Sequence, residues 1–209
     1  MTNTTTYTDI ANFALDHVGG LNIQDIEDTN NPNAILCKRH LGRCVRAEFD
    51  KYEWTCARKF QKAIPVDLES HPNAKIDGYI AYHLPADFSR LSQYFFSEYY
   101  PYRKNQYDLG HNYFLTADYL YTRRPIDTIP YSSNKVPIAK WNQLVCDVMA
   151  AALAKSIARK IMGSDVDVSV MESLYKKAVS DARRHQVLQM EPSGTGMTET
   201  QVARLMYYG

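Results

Sequence analysis

The fold is organised around residues Val136–Met162, which read VPIAKWNQLVCDVMAAALAKSIARKIM. The apolar side chains of this stretch recur at the three- and four-residue spacing of an α-helix. They are Trp141, Leu144, Val145, Val148, Met149, Ala151, Ala152 and Leu153. Further alanines extend the low-polarity surface beyond one stripe, which is typical of a helix packed by neighbours on several sides. The stretch therefore predicts a central core helix over 136–162.

A second helix is predicted directly after the first, over 165–189. Gly163 ends the core helix, and Ser164 with Asp167 forms a Ser-x-x-Asp start. One face of the new segment is apolar and comprises Met171, Leu174, Tyr175, Ala178 and Ala182. Because the connecting turn is short, we expect the two helices to lie antiparallel.

Two more helices are predicted near the N-terminus, over 6–19 and 32–53. Thr6 and Asp9 have the spacing of a capping box, and Gly19 ends the first of these helices. Asn31 followed by Pro32 is typical of a polar cap with proline at the first helical position. Before Thr6 the chain is polar and rich in threonine, which is typical of neither a signal peptide nor a transit peptide.

The second of these N-terminal helices carries an arginine stripe. Arg39, Arg43 and Arg46 line up opposite its apolar side, so we expect them to face away from the core. A solvated helix face is the simpler interpretation, with Glu48 and Asp50 partly compensating the charge. The functional interpretation is a contact with a neighbouring subunit or with DNA phosphates, since arginine favours bidentate contacts to carboxylate or phosphate.

A small antiparallel β insertion is predicted from about 55 to 131. Short strands are expected at 78–85, 107–109, 113–116 and 119–123, and 64–66 is expected to be extended around Pro65. Pro125, Pro130 and Pro137 are expected to mark the return to the helical part. Many of the 16 tyrosines lie here. They indicate either a surface made for protein contacts or the ordinary preference of strands for aromatic side chains.

The C-terminal segment, residues 191–209, is predicted to be a flexible arm. It opens with a Pro-Ser-Gly-Thr-Gly run, which is typical of a linker. Its end carries apolar and aromatic side chains that favour docking on a partner. They are Val202, Leu205, Met206, Tyr207 and Tyr208.

Composition and motifs narrow the function classes. The formal net charge of +1 gives no overall field that would attract nucleic acid or an anionic membrane, and no window approaches a membrane-spanning length. No motif for catalysis, phosphate binding or dinucleotide binding is present, and neither the six histidines nor the four cysteines have metal-ligand spacing. We therefore expect no cofactor, no metal, buried reduced thiols and no enzymatic activity, although an enzyme with a dispersed site stays an alternative.

These patterns together predict a mainly α fold: an antiparallel bundle of about four helices with a small inserted antiparallel β element and an extended C-terminal tail. In this interpretation the bundle and its insertion form a single domain over 1–190. A chain of 209 residues is long enough to build one such domain.

Two segments of the chain resemble a known family. The run Phe49–Phe60 contains Tyr52, Trp54, Ala57 and Arg58, and Gly78–Asp87 reads GYIAYHLPAD. In their order and spacing these segments resemble the tail tubular protein A and head-to-tail adaptor family of short-tailed bacteriophages. Cys56 stands where that family usually has phenylalanine. The resemblance extends over 7–189, through Tyr119–Pro125 and the closing helical hairpin.

The resemblance implies a structural virion protein. Members of the family form a twelve-subunit ring between portal protein and tail nozzle protein, around a channel crossed by double-stranded DNA without sequence recognition. It also implies a location in the neck of the virion, after assembly in the host cytoplasm. We assign the end of the C-terminal arm to portal docking, and the β insertion, with Tyr99, Tyr100, Tyr102 and Tyr113, to nozzle or subunit contact. A helical DNA-binding protein that uses the arginine stripe is the alternative.

Overall fold

The computed structural model describes residues 5–92, 113–163 and 167–189. Its helices are α1 (Tyr7–His17), α2 (Pro32–Lys51), α3 (Gln143–Ile161) and α4 (Val168–Gln189). Its strands are β1 (Arg58–Lys62), β2 (Ile80–His83), β3 (Phe88–Leu91), β4 (Tyr113–Leu115), β5 (Tyr119–Thr122) and β6 (Thr128–Ser133). The chain divides into two compact units. The β unit, Ala57–Lys135, holds these strands, and the helical unit, built from the chain before and after it, holds these helices.

The polar caps expected from the sequence define the helix ends. Thr6 and Asp9 form a complete capping box at the start of α1, and the Asn31 side chain accepts hydrogen bonds from two backbone N–H groups at the start of α2. Gly19 and Gly163 take positive φ angles of 65° and 81° just after α1 and α3. Only glycine adopts this backbone conformation without strain, so both predicted helix ends are confirmed.

The predicted start of the core helix at residue 136 is wrong. Pro137 precedes a short 3₁₀ turn, Ile138–Lys140, and α3 begins only after Asn142, whose side chain accepts from the backbone N–H of Val145 at 2.9 Å. The apolar pattern is nevertheless buried as predicted except at Leu144, which is partly exposed, and Leu153 is fully enclosed. Helix α4 begins at Val168 and not at 165; its cap is the Asp167 carboxylate, which accepts from Ser169, while Ser164 lies outside the described residues.

The β unit contains two three-stranded antiparallel sheets. One has the order β1-β6-β3 and the other β2-β5-β4. Tyr82 and Leu120 are paired across β2 and β5, and both side chains enter a core shared with Leu91 and Ile129 of the other sheet. Each sheet therefore buries one face against the same cluster of apolar side chains.

The prediction of a mainly α fold with a small β element is wrong. The described residues form a mix of α and β, in which two sheets build a compact unit with a core of their own. The expected strands at 78–85, 113–116 and 119–123 are present with shorter bounds, and Pro65 forms a single bridge to Tyr82. Three strands were missed, β1, β3 and β6. The expected strand at 107–109 lies outside the described residues.

Because it contains Pro130, the central strand of the first sheet, β6, was not predicted from the sequence. Pro130 was interpreted as a mark of the return to helix, yet it lies inside β6 opposite Phe60 of β1. The carbonyl of Pro130 accepts from the backbone N–H of Ser92 at 2.9 Å, just past the end of β3. Because proline has no N–H, β6 accepts a hydrogen bond at this position on its β3 side and donates none.

Candidate interaction surfaces

The outer face of α2 combines arginines with one apolar side chain and a glycine. This α2 face comprises Ile35, Arg39, Gly42, Arg43 and Arg46. All five residues are exposed, with Ile35 at 40%. At about 100° per residue they lie within roughly a quarter of the helix circumference. The predicted position of the arginines, away from the core, is confirmed.

The positive charge of the α2 face is not neutralised by neighbouring carboxylates. None of its three arginines forms an ion pair with another described residue. Glu48, which was expected to compensate them, is buried, and its carboxylate accepts from Lys51 at 2.9 Å. The Nε–H of Arg46 donates to the Gly42 carbonyl at 3.3 Å. The other N–H groups of the three arginines have no ion-pair partner among the described residues and can bind an external partner.

Gly42 lies in the middle of α2, where glycine is unfavourable. A Cβ at this position would meet no atom within 4 Å, so packing inside the chain does not require glycine. Glycine in a helix interior costs about 1 kcal/mol relative to alanine. Gly42 therefore adds no side chain to the α2 face, and its carbonyl accepts a hydrogen bond from Nε of Arg46 at 3.3 Å.

An open groove of about 420 Å³ lies between α1, α3 and α4. Its apolar part is formed by Phe13, Leu144, Ala150, Ala151, Leu174 and Ala178. Its polar part is formed by Asp16, Asp147, Asp181, His17 and Lys177. The three aspartates outnumber the one permanently charged cation, Lys177, so we call this feature the acidic groove.

The acidic groove and α2 lie on different sides of α3. Leu144 and Asp147 face the groove, whereas Ala152 and Ser156 lie next to the thiol of Cys44 on α2. These two sets are about 120° apart around the helix at 100° per residue. Since the α2 face points away from the core, the basic face and the acidic groove are separate surfaces of the helical unit.

Aromatic rings cover one side of the β2-β5-β4 sheet. This aromatic face comprises Tyr79, Phe114, Tyr119 and Tyr121. The Phe114 and Tyr121 rings stack at 4.5 Å because the two residues are paired across β4 and β5. Tyr79 lies 5.0 Å from Phe114, and the guanidinium of Arg123 lies over the Tyr79 ring at 5.2 Å.

Two exposed histidines continue the aromatic face. The His83 ring lies 5.4 Å from both Tyr119 and His71, measured between ring centroids. Among the described residues, no group of three or more potential metal ligands includes them. The Tyr121 ring is buried in a core cluster with Val66 and Ala74. The partly exposed rings of the aromatic face, together with the two histidines, offer flat surfaces with polar edges that suit contacts between proteins.

Asp87 joins three segments of the β unit. Its carboxylate accepts hydrogen bonds from Tyr131 at 2.9 Å and Ser133 at 2.6 Å and pairs with Lys59. Burial alone would raise the pKa of Asp87, but these three donors lower it to about 2. The Asp87 carbonyl also accepts from the N–H of Asn134. Asp87 therefore fixes the framework of the unit and is not a free reactive group.

The four cysteines are the chain's candidate reactive thiols. All four are free thiols; the prediction that they are buried is confirmed for Cys37 and Cys146 and wrong for Cys44 and Cys56, which are only partly buried. Burial raises the pKa of Cys37, Cys56 and Cys146 to about 11, which keeps these thiols protonated at neutral pH. In the part of the chain that the structure describes, no helix is both long and apolar enough to cross a membrane.

The site residues expected from the sequence fall into three groups. The arginines lie on the α2 face, whereas Tyr113 packs against the core of the β unit. Tyr99, Tyr100 and Tyr102 lie outside the described residues, as do Val202, Leu205, Met206, Tyr207 and Tyr208. Sequence reasoning missed the acidic groove, because its lining comes from three helices, and had placed Leu144 and Leu174 in the core.

No protein-family model matches the chain, and no curated protein matches it.

Proposed function

We propose that this chain is a head-to-tail adaptor of a short-tailed bacteriophage, a structural subunit that forms a ring between the portal protein and the tail nozzle protein. Double-stranded DNA would cross the ring without sequence recognition, and the assembled protein would reside in the neck of the virion. The proposal comes from the resemblance of the segments 49–60 and 78–87 to that family.

The observation that carries the proposal is the framework role of the residues that define the resemblance. Trp54 is fully buried after α2, and its indole N–H donates to the carbonyl of Glu48 at 3.1 Å. Asp87 holds Lys59, Tyr131 and Ser133 in the β unit. The motif residues of the resemblance therefore hold the fold together. Because a fold alone does not determine a function, the adaptor role is proposed by analogy with the family.

The surfaces of the two units support the same proposal. A ring subunit must present two different complementary surfaces to its neighbours, and further surfaces to the portal and the nozzle. The chain offers the α2 face and the acidic groove in the helical unit, and the aromatic face in the β unit. We assign the aromatic face to the nozzle and keep the end of the C-terminal arm as the portal-docking segment.

Removal of the chain from assembling virions tests this function. We expect particles made without it to have filled heads that lack tails and lose DNA, with infectivity restored when the chain is supplied. Intact, infectious particles without the chain would show that it is not an adaptor.

Duplex DNA binding is the second candidate function, because the three arginines of the α2 face form no ion pair within the described part of the chain. It predicts an affinity for DNA that falls steeply as salt rises. The adaptor function predicts weak binding to DNA, because an adaptor only lines the channel that DNA crosses.

A further inference from the structure

We infer that the α2 face of one copy of this chain docks into the acidic groove of a second copy. This contact would join neighbouring subunits head to tail, and it rests on the proposed ring. The partner is thus a second copy of the chain, and the two surfaces that meet belong to the same helical unit in different molecules.

Charge complementarity is the first support for this pairing. The α2 face presents Arg39, Arg43 and Arg46, and the groove presents Asp16, Asp147 and Asp181. Lys177 on the groove opposes the incoming charge, but three carboxylates outnumber it. Arginine and carboxylate form bidentate hydrogen bonds, so the pairing also fixes the register of the two helices.

Shape is the second support. The groove has an apolar part that includes Leu144, Leu174 and Phe13, and Phe13 is 42% exposed. The α2 face carries Ile35, also exposed, one turn before Arg39. An apolar anchor flanked by arginines matches an apolar groove with an acidic rim. Gly42 adds no side chain of its own to the α2 face, so the docked face is lowest there, where Arg46 donates to the Gly42 carbonyl.

The placement of the two surfaces is the third support. They lie on different sides of α3, so one molecule can use both at once. An interface between two different surfaces is heterologous and leaves one of each free on a pair of molecules. Such pairs can add further copies, as a ring requires.

Reciprocal charge reversal tests the contact. One variant carries Arg39→Glu, Arg43→Glu and Arg46→Glu, and a second carries Asp16→Lys, Asp147→Lys and Asp181→Lys. Each variant alone would present like charges at the contact, so we expect its self-association, measured by sedimentation velocity, to weaken by about tenfold or more. An equimolar mixture should recover association, because the acidic α2 face of one variant then meets the basic groove of the other.

A matched control keeps the total charge equal. Lys62→Glu, Arg124→Glu and Lys140→Glu change exposed cations elsewhere and should leave association unchanged. Circular dichroism of every variant reports the fold. Gly42→Ala gives an independent variant that retains all charges: we expect a higher thermal midpoint together with weaker association.

Four outcomes would overturn the inference. They are a wild-type chain that stays monomeric at high concentration, variants that associate like wild type, a mixture that does not recover, and loss of duplex DNA binding as the only effect of the arginine changes. Binding of the variants to the portal protein separates failure of this contact between copies from failure of the proposed adaptor function. Ring formation on the portal by the charge-reversed variants would refute the contact and leave the adaptor function intact.

Discussion

The Tyr175 hydroxyl donates to the carboxylate of Glu48, 2.8 Å from Oε2 and 3.0 Å from Oε1, and joins two helices across 127 residues of sequence. Lys51 donates to the same carboxylate at 2.9 Å. Burial and the hydrogen bond to Glu48 both raise the pKa of Tyr175. The buried charge of Glu48 is thus satisfied from α2 and α4 together, which fixes α4 against α2.

We predict that Tyr175→Phe lowers the free energy of unfolding by about 1 to 2 kcal/mol, because a buried carboxylate loses a donor. Urea denaturation measures this change. Tyr7→Phe, at a tyrosine that is 41% exposed, is the matched control and should have little effect. Equal stability of Tyr175→Phe and wild type would mean that the hydrogen bond does not hold α4.

We predict an acid-dependent loss of stability through Asp87. Its pKa is lowered from 3.8 to about 2 in the folded chain, so its contribution is present above pH 3.8 and is lost as pH falls towards 2. The loss should amount to about 1 to 2 kcal/mol. Urea unfolding across this pH range should show a steeper decline for wild type than for Asp87→Asn. Parallel curves for the two proteins would contradict the prediction.

We predict that Gly42→Ala stabilises the isolated chain by about 0.5 to 1 kcal/mol, because alanine is the better helix former and the added Cβ meets no atom. Thermal denaturation of dilute protein measures this gain. A lower midpoint would show that Gly42 is required by the fold itself, which would remove it from the contact between copies.

We predict that Tyr119→Ser weakens binding to the nozzle protein by about tenfold while the fold persists, since Tyr119 is only partly buried on the aromatic face. Leu115→Ser is the control, at an exposed apolar residue of β4. Binding is measured by titration with purified nozzle protein. Equal losses for both variants would argue against a specific role of the aromatic face.

We predict that deletion of Thr198–Gly209 abolishes binding to the portal protein and leaves the thermal midpoint unchanged. A polar linker precedes this apolar segment in the sequence, and such segments often dock on partners. Co-sedimentation with portal protein measures binding. Undiminished binding by the shortened chain would refute the assignment of portal docking to the arm.

The helices could be predicted from the sequence because their signals are local. The capping box at Thr6, the Asn31 cap and the glycines after α1 and α3 each act within one turn. The α3 start was placed too early because the apolar pattern continues back to Val136. Only the 3₁₀ turn after Pro137 separates these residues from the helix.

The sheets were harder to predict because their signals depend on pairing. Strand β1 reads RKFQK, and its single aromatic residue, Phe60, is 62% exposed, so no buried alternation marks it. Pro130 argues against a strand by composition, yet it lies inside β6 and accepts a hydrogen bond from Ser92. The acidic groove could not be predicted from the sequence for a similar reason. Its apolar residues Phe13, Leu144 and Leu174 lie on three different helices and come together only when these helices pack.

Electron microscopy of this chain mixed with the portal protein tests the central proposal most directly. We expect a ring of additional density on one end of the portal, with the subunits in contact and an open channel on the axis. Portal particles that remain bare at saturating concentrations of the chain would contradict it.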